Sequence, residues 1–166
     1  MQAVCERACN PQSGLYCVFV QYQPDHRNAY SEVTYAELHC LTCYSFLRGA
    51  SHPHELVERA ARLGYAALAV TDECSLAGVV KAHVAAKEAG LHLIVGSELV
   101  LEEDVRLVAL VPNRAAYSEL SGLISMARRR SPKGEYRVAL RDVIFHLKRC
   151  LLIWLPRDDE ETTRAW

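Results

Sequence analysis

Three apolar runs in this chain each end in a residue able to ligate a metal or exchange a proton. They are Ala36-Glu37-Leu38-His39, Ala69-Val70-Thr71-Asp72 with Glu73 beside it, and Val95-Gly96-Ser97-Glu98. An imidazole grouped with carboxylates suits zinc, manganese or iron. A metal so held could activate water or polarise a phosphoryl oxygen. A structural reading of the same residues stands beside this one. Asp72 would cap a helix starting near Ser75, Glu98 would open a hairpin, and His39 would be a hydrogen-bonded interior histidine. Polar residues at strand ends are common, so at this level both readings remain open.

Three further signals are weaker. Cys40-Leu41-Thr42-Cys43 has CxxC spacing beside His39 and could mean zinc or redox chemistry. No second pair follows at a finger-like distance, however, and strand alternation sends His39 and Cys40 to opposite faces. Buried free thiols are the alternative. The run Arg128-Arg129-Arg130 could meet nucleic-acid phosphates, although basic residues also suit a helix C-terminus. His83 falls on an apolar helical stripe, as a core residue would.

Strands and helices must alternate to bring the three strand ends together. Ala36–Leu41 alternates as a strand. Ser51 can cap a helix with Pro53 and Glu55 in its first turn, and Leu56, Val57, Ala60 and Leu63 form its apolar stripe before Gly64 stops it. Ala66–Thr71 is short and apolar, as a buried parallel strand is. Leu76, Val79, Val80, His83, Val84 and Lys87 keep helical spacing up to Gly90, and His92–Val95 is a third buried strand. Glu98–Glu102 and Val105–Val111 read as a hairpin around Glu103-Asp104. Asn113 caps a helix through Ala127, a second helix covers Leu140–Lys148, and Cys150–Leu155 is a last strand. Strand-helix-strand-helix-strand implies right-handed crossovers and a parallel sheet or partial barrel, with the chemistry at the C-terminal strand ends. A doubly wound sheet is disfavoured, since no Gly-rich phosphate loop follows any strand.

At 166 residues the chain fits one domain, whereas a complete eight-fold barrel takes about 250. A barrel here is therefore incomplete. Net charge of −1 gives no global attraction to nucleic acid or membrane, and no apolar stretch approaches a membrane span of roughly 20 residues. The seven cysteines are odd in number and irregularly spaced, without a convincing signal peptide ahead of them, which favours free thiols in the cytoplasm. Residues 1–33 carry three of them and only one strand-like run, Leu15–Tyr22. They read as an extension of unknown structure before a domain at 34–166.

The stretches Tyr35–Ser51, Leu63-Gly64-Tyr65, Ala69–Leu76 and Gly96-Ser97-Glu98 resemble the PHP (polymerase and histidinol phosphatase) domain. More narrowly, they are similar to the PHP domain at the N-terminus of bacterial error-prone DNA polymerases of the replicative alpha-subunit type. The likeness runs from about Tyr35 to the end. It implies an α/β fold, namely the first half of a distorted α/β barrel of the PHP type, with a metal centre at the strand ends. Active PHP sites begin His-x-His. Here His39 matches the first histidine, but Leu41 stands at the second. A further ligand position falls on Arg48, and Glu73 replaces a histidine after Thr-Asp, while Glu98 matches the glutamate of the Gly-x-Glu element.

Leucine cannot ligate, and arginine brings a permanent positive charge. The expectation is a vestigial centre of His39, Glu73 and Glu98 in which Arg48 pairs with Glu98 or Glu73 in place of a metal. No cofactor is expected in this chain: zinc or manganese would apply only to an active PHP site, and magnesium to the parent polymerase. The resemblance also implies DNA as a partner through that polymerase, together with other replication or translesion subunits, and no membrane. The palm with its catalytic aspartates is not in this sequence, so the chain reads as a truncated domain with no polymerase active site. Two other readings stay open, a small metal-dependent phosphoesterase using His39 and Glu98, and a gene fragment without a role of its own.

Overall fold

In the computed structural model, the residues described are 35–156 together with the backbone of 6–9 and 16–19. The strands are β1 (Glu6–Cys9), β2 (Tyr16–Phe19), β3 (Ala36–Cys40), β4 (Ala67–Val70), β5 (His92–Val100), β6 (Arg106–Val111) and β7 (Leu151–Leu155). The helices are α1 (Pro53–Arg62), α2 (Val79–Ala89), α3 (Arg114–Arg129) and α4 (Leu140–His146). Among the described residues they build one sheet of order β1-β2-β7-β6-β5-β4-β3. β3, β4 and β5 are parallel neighbours joined through α1 and α2, while β6 and β7 run antiparallel. The parallel half is the opening of an α/β barrel, and the fold class is an incomplete one.

Residue alternation sorts the two faces. Leu68, Val70 and Leu93 pack with Val57, Ala60, Ala82 and Ala86 under α1 and α2. On the same side, Leu99, Leu107 and Ala109 meet Leu120, Leu123, Val138 and Val143 from α3, α4 and the segment between them. The opposite face carries Ala69, Val108 and Leu110, flanked by Leu38, Ile94, Ile153 and Leu155. All the described helices therefore cover one face, as in a barrel wall whose other face is the interior.

Local chemistry sets the element ends. The Asn113 side chain accepts from the Ala116 N–H at 3.0 Å and starts α3. The residue flanking α1 is His52 rather than Ser51; its N–H donates to Glu55 at 2.7 Å, and Pro53 occupies the first turn. Gly90 (φ 67°) ends α2 in the left-handed region that glycine reaches without a Cβ clash.

Other sequence expectations need correction. The second helix starts at Val79, not near Leu76, because residues 71–76 are held in a loop by backbone and side-chain bonds to β5. His83 is exposed, as are Val80 and Val84; the buried stripe of α2 is Ala82 and Ala86, small enough for α1 to pack closely. β5 runs unbroken through Glu98 to Val100, so Glu98 lies within a strand and the hairpin turns at 101–105. The N-terminal segment contributes the β1–β2 hairpin, whose second strand pairs with β7 at Cys17 and Leu152. The remainder of the predicted extension, including the domain boundary at 33/34, and the charged tail 157–166 lie outside the described residues. No described helix is long and apolar enough to cross a membrane.

Candidate functional site

A register shift in β3 creates the first half of the site. Between Glu37 and Cys40 the pairing with β4 slips, so Leu38 and His39 share the space of one partner residue. The slip frees the His39 N–H, which donates to Glu37 Oε1 at 2.9 Å, while the Tyr35 hydroxyl holds the other Glu37 oxygen at 2.8 Å. Cys40 packs on the α1 side with Val57 and Ala60, and His39 reaches Glu98 on the other.

Glu98 is the centre. It is fully buried (0% exposed) on β5, with its N–H bonded to the Thr71 carbonyl at 3.1 Å and its own carbonyl accepting from Cys74 at 2.8 Å. One carboxylate oxygen lies 2.6 Å from His39 Nε2. Arg48 supplies the opposite charge: its Nη1 donates to Glu98 Oε1 at 2.7 Å and to Glu73 Oε2 at 2.6 Å, and its Nη2 to Glu98 Oε2 at 3.2 Å. Tyr136 completes the ring by donating its hydroxyl to the other Glu73 oxygen at 2.7 Å and accepting from the Val100 N–H at 3.2 Å. His39, Arg48, Glu73 and Glu98 thus converge on one point, and Asp72 does not join them.

The electrostatics follow from this packing. Burial acts to raise the Glu98 carboxyl, but hydrogen bonds from His39 and Arg48 outweigh it and hold the group at about 2. The same Glu98 bond, against burial and with help from Glu73, strengthens the hold of Arg48 on its proton. Burial, followed by the bond to Glu73, raises the Tyr136 phenol, which stays a donor.

Asp72 has a different task. It is 1% exposed, and its Oδ1 accepts from the Thr42 N–H at 2.8 Å and the Ser45 hydroxyl at 2.7 Å. Its Oδ2 accepts from the Thr42 hydroxyl at 2.8 Å. Asp72 therefore fastens the loop after β3 instead of capping α2, which begins seven residues later at Val79. Ser45 passes the tie onward by accepting from the Glu73 N–H at 3.0 Å. Gly49 closes this loop against its own first residues: an added Cβ would stand 2.0 Å from the Thr42 carbonyl oxygen, so no larger residue fits. Arg48 is delivered by this cage.

The donor set does not fit a metal ion. Ligands must aim lone pairs at a shared point, yet both Glu98 oxygens and one of Glu73 are aimed at guanidinium N–H groups. Among the described residues no cluster of three His, Cys, Asp or Glu is arranged to hold a cation. A second positive charge about 4 Å from Arg48 would meet roughly 4 kcal/mol of repulsion per unit charge at an effective dielectric near 20. Leu41 is half-buried and offers no ligating atom.

The basic run divides into three roles. Arg128 donates to the Cys74 and Glu73 carbonyls at 3.2 and 3.3 Å and lies over the Tyr136 ring. Arg130 bonds the Arg137 carbonyl and the Asp142 carboxylate. Arg129 is exposed and makes no hydrogen bond or ion pair among the described residues. Sequence reasoning missed Tyr136, Thr42 and Ser45. The two hydroxyls directly after a strand end were a usable signal; Tyr136, sixty-three residues from Glu73, gave none.

The chain belongs to the PHP domain family, whose model matches residues 37–152. The relatives narrow this further. An error-prone DNA polymerase of Saccharophagus degradans is 62% identical over 122 residues, covering 74% of this chain and 12% of that protein. The one of Teredinibacter turnerae is 57% identical over 130 residues (78% and 13%), and that of Methylococcus capsulatus 54% over 138 (82% and 13%). The chain thus spans about an eighth of the length of the curated relatives it matches.

Proposed function

We propose that this chain is the N-terminal PHP portion of an error-prone DNA polymerase that works in replication past damage and in repair. Within it the PHP domain is a scaffold whose metal centre has been exchanged for an internal cation. The observation that carries the reading is the Arg48 guanidinium lying between Glu98 and Glu73 at 2.6–2.7 Å. His39, Glu73 and Glu98 are accordingly vestigial ligands, and no hydrolytic step is assigned to them. The names and identities of the relatives support the parentage.

Polymerisation from dNTPs with magnesium, contact with DNA, and binding of other replication or translesion subunits belong to the longer polymerase in this proposal, in the cytoplasm. Arg129 is the member of the basic run left for a phosphate. Arg128 and Arg130 serve the fold. The phosphoesterase alternative has no specific observation in its favour, because its two residues, His39 and Glu98, are bonded to each other.

Metal titration tests the scaffold reading. Calorimetry with manganese and zinc on the purified chain should give no stoichiometric binding at the centre, and chelator should leave the melting temperature unchanged. Stoichiometric binding lost in His39→Ala, with phosphoesterase activity lost alongside, would replace this reading with the hydrolytic one.

A further inference from the structure

The loop that carries Arg48 holds a second group of reactive side chains, separate from the Glu98 cluster. Cys43 Sγ lies 3.1 Å from His52 Nδ1 at the surface, and backbone fixes the pair: the Cys43 N–H donates to the Ser51 carbonyl at 2.8 Å. His52 is fixed in turn. Its N–H is bonded to Glu55, and its ring stacks on His54 with centroids 5.6 Å apart and planes 12° from parallel. With the imidazole proton on Nε2, Nδ1 accepts from the thiol, which is the arrangement of a nucleophile with its base.

We propose that Cys43 is a site of thiol–disulfide exchange, with His52 as its proton acceptor and a low-molecular-weight disulfide of the glutathione type as its reagent. The Cys43 proton moves to His52 Nδ1, and the thiolate attacks one sulfur of the disulfide. A new S–S bond forms as the old one breaks, so the Cys43 sulfur is oxidised and the departing thiolate, which takes a proton from the imidazolium or water, is reduced. The product is a mixed disulfide on the loop that Asp72 fastens and from which Arg48 projects. This inference does not depend on the polymerase reading.

The other described cysteines are unsuited to the same reaction. Burial pushes the thiols of Cys40, Cys74 and Cys150 up to about 11, and none of them has a histidine partner. Cys40 faces the α1 side of the sheet, so the CxxC spacing gives a single reactive thiol instead of a dithiol centre.

The test is to incubate the full 166-residue chain with glutathione disulfide and follow each cysteine by peptide mass spectrometry. The adduct at Cys43 should form at least about tenfold faster than at Cys40, Cys74 or Cys150. His52→Asn, a substitution favourable at a helix start, should slow Cys43 about tenfold while the melting transition stays in place. The same reaction in urea, where the pair is separated, should also be slower at Cys43. Equal Cys43 rates in the parent and His52→Asn proteins, or a rate no higher in the folded chain than in urea, would overturn the assignment.

Discussion

Asp72, just past the end of β4, and Glu98, within neighbouring β5, are two buried carboxylates satisfied in opposite ways. Asp72 receives three neutral donors, all from the loop just after β3. Glu98 receives a guanidinium and an imidazole from separate parts of the chain. Neutral donors can hold a carboxylate and define a loop, but they bring no compensating charge. A cation does, and at Glu98 the Arg48 guanidinium supplies it. The difference separates a frame of neutral hydrogen bonds from a cluster held by opposite charge.

The largest effect should come from removing the cation. Arg48→Met leaves Glu98 buried with His39 alone, and should cost about 3–5 kcal/mol at pH 7 in urea denaturation. A loss below about 1 kcal/mol would mean the guanidinium is not the counter-charge the geometry implies.

Acid should then erase that difference. Glu98 is held at about 2 from an ordinary 4.5, so its ionised form stabilises the fold above 4.5, and that contribution is lost as the pH falls toward 2. Parent and Arg48→Met unfolding curves should converge across this window. A gap that stayed constant from pH 6 to 2 would place the cost elsewhere.

Asp72→Asn comes next, at about 1–3 kcal/mol, because an amide N–H would face one of the three donors. Hydrogen exchange should rise at the Thr42 amide, which loses its carboxylate acceptor. Smallest of all is Arg129→Ala, expected within about 0.5 kcal/mol of the parent. Arg128→Ala should cost more, through the lost carbonyl bonds and the Tyr136 contact, and equal effects for the two would undo the division of the basic run.

Much of the fold was legible because it is local. The short apolar run at Ala67–Val70, the cap at Asn113 and the stop at Gly90 each act within a few residues, and each signal lies where its pattern puts it. The second helix was misread at its start. Leu76 fits the helical spacing, but bonds from residues 71–75 to β5 take that stretch out of the helix, a competition no local pattern contains. His83 was misassigned for a related reason: the α1–α2 contact is made by alanines, and the larger apolar residues of α2 face outward.

By itself, the sequence determined the order of strands and helices from β3 onward and the polar residues that follow each apolar run. Short-range sterics and periodicity suffice for those. Tertiary structure decided which carboxylate receives which partner: Asp72 the hydroxyls of the loop after β3, Glu98 the guanidinium, Glu73 both Arg48 and a phenol from far along the chain. Such pairings depend on distances of 2.6–3.2 Å between residues 25–63 positions apart. Only the packed sheet brings those groups within reach.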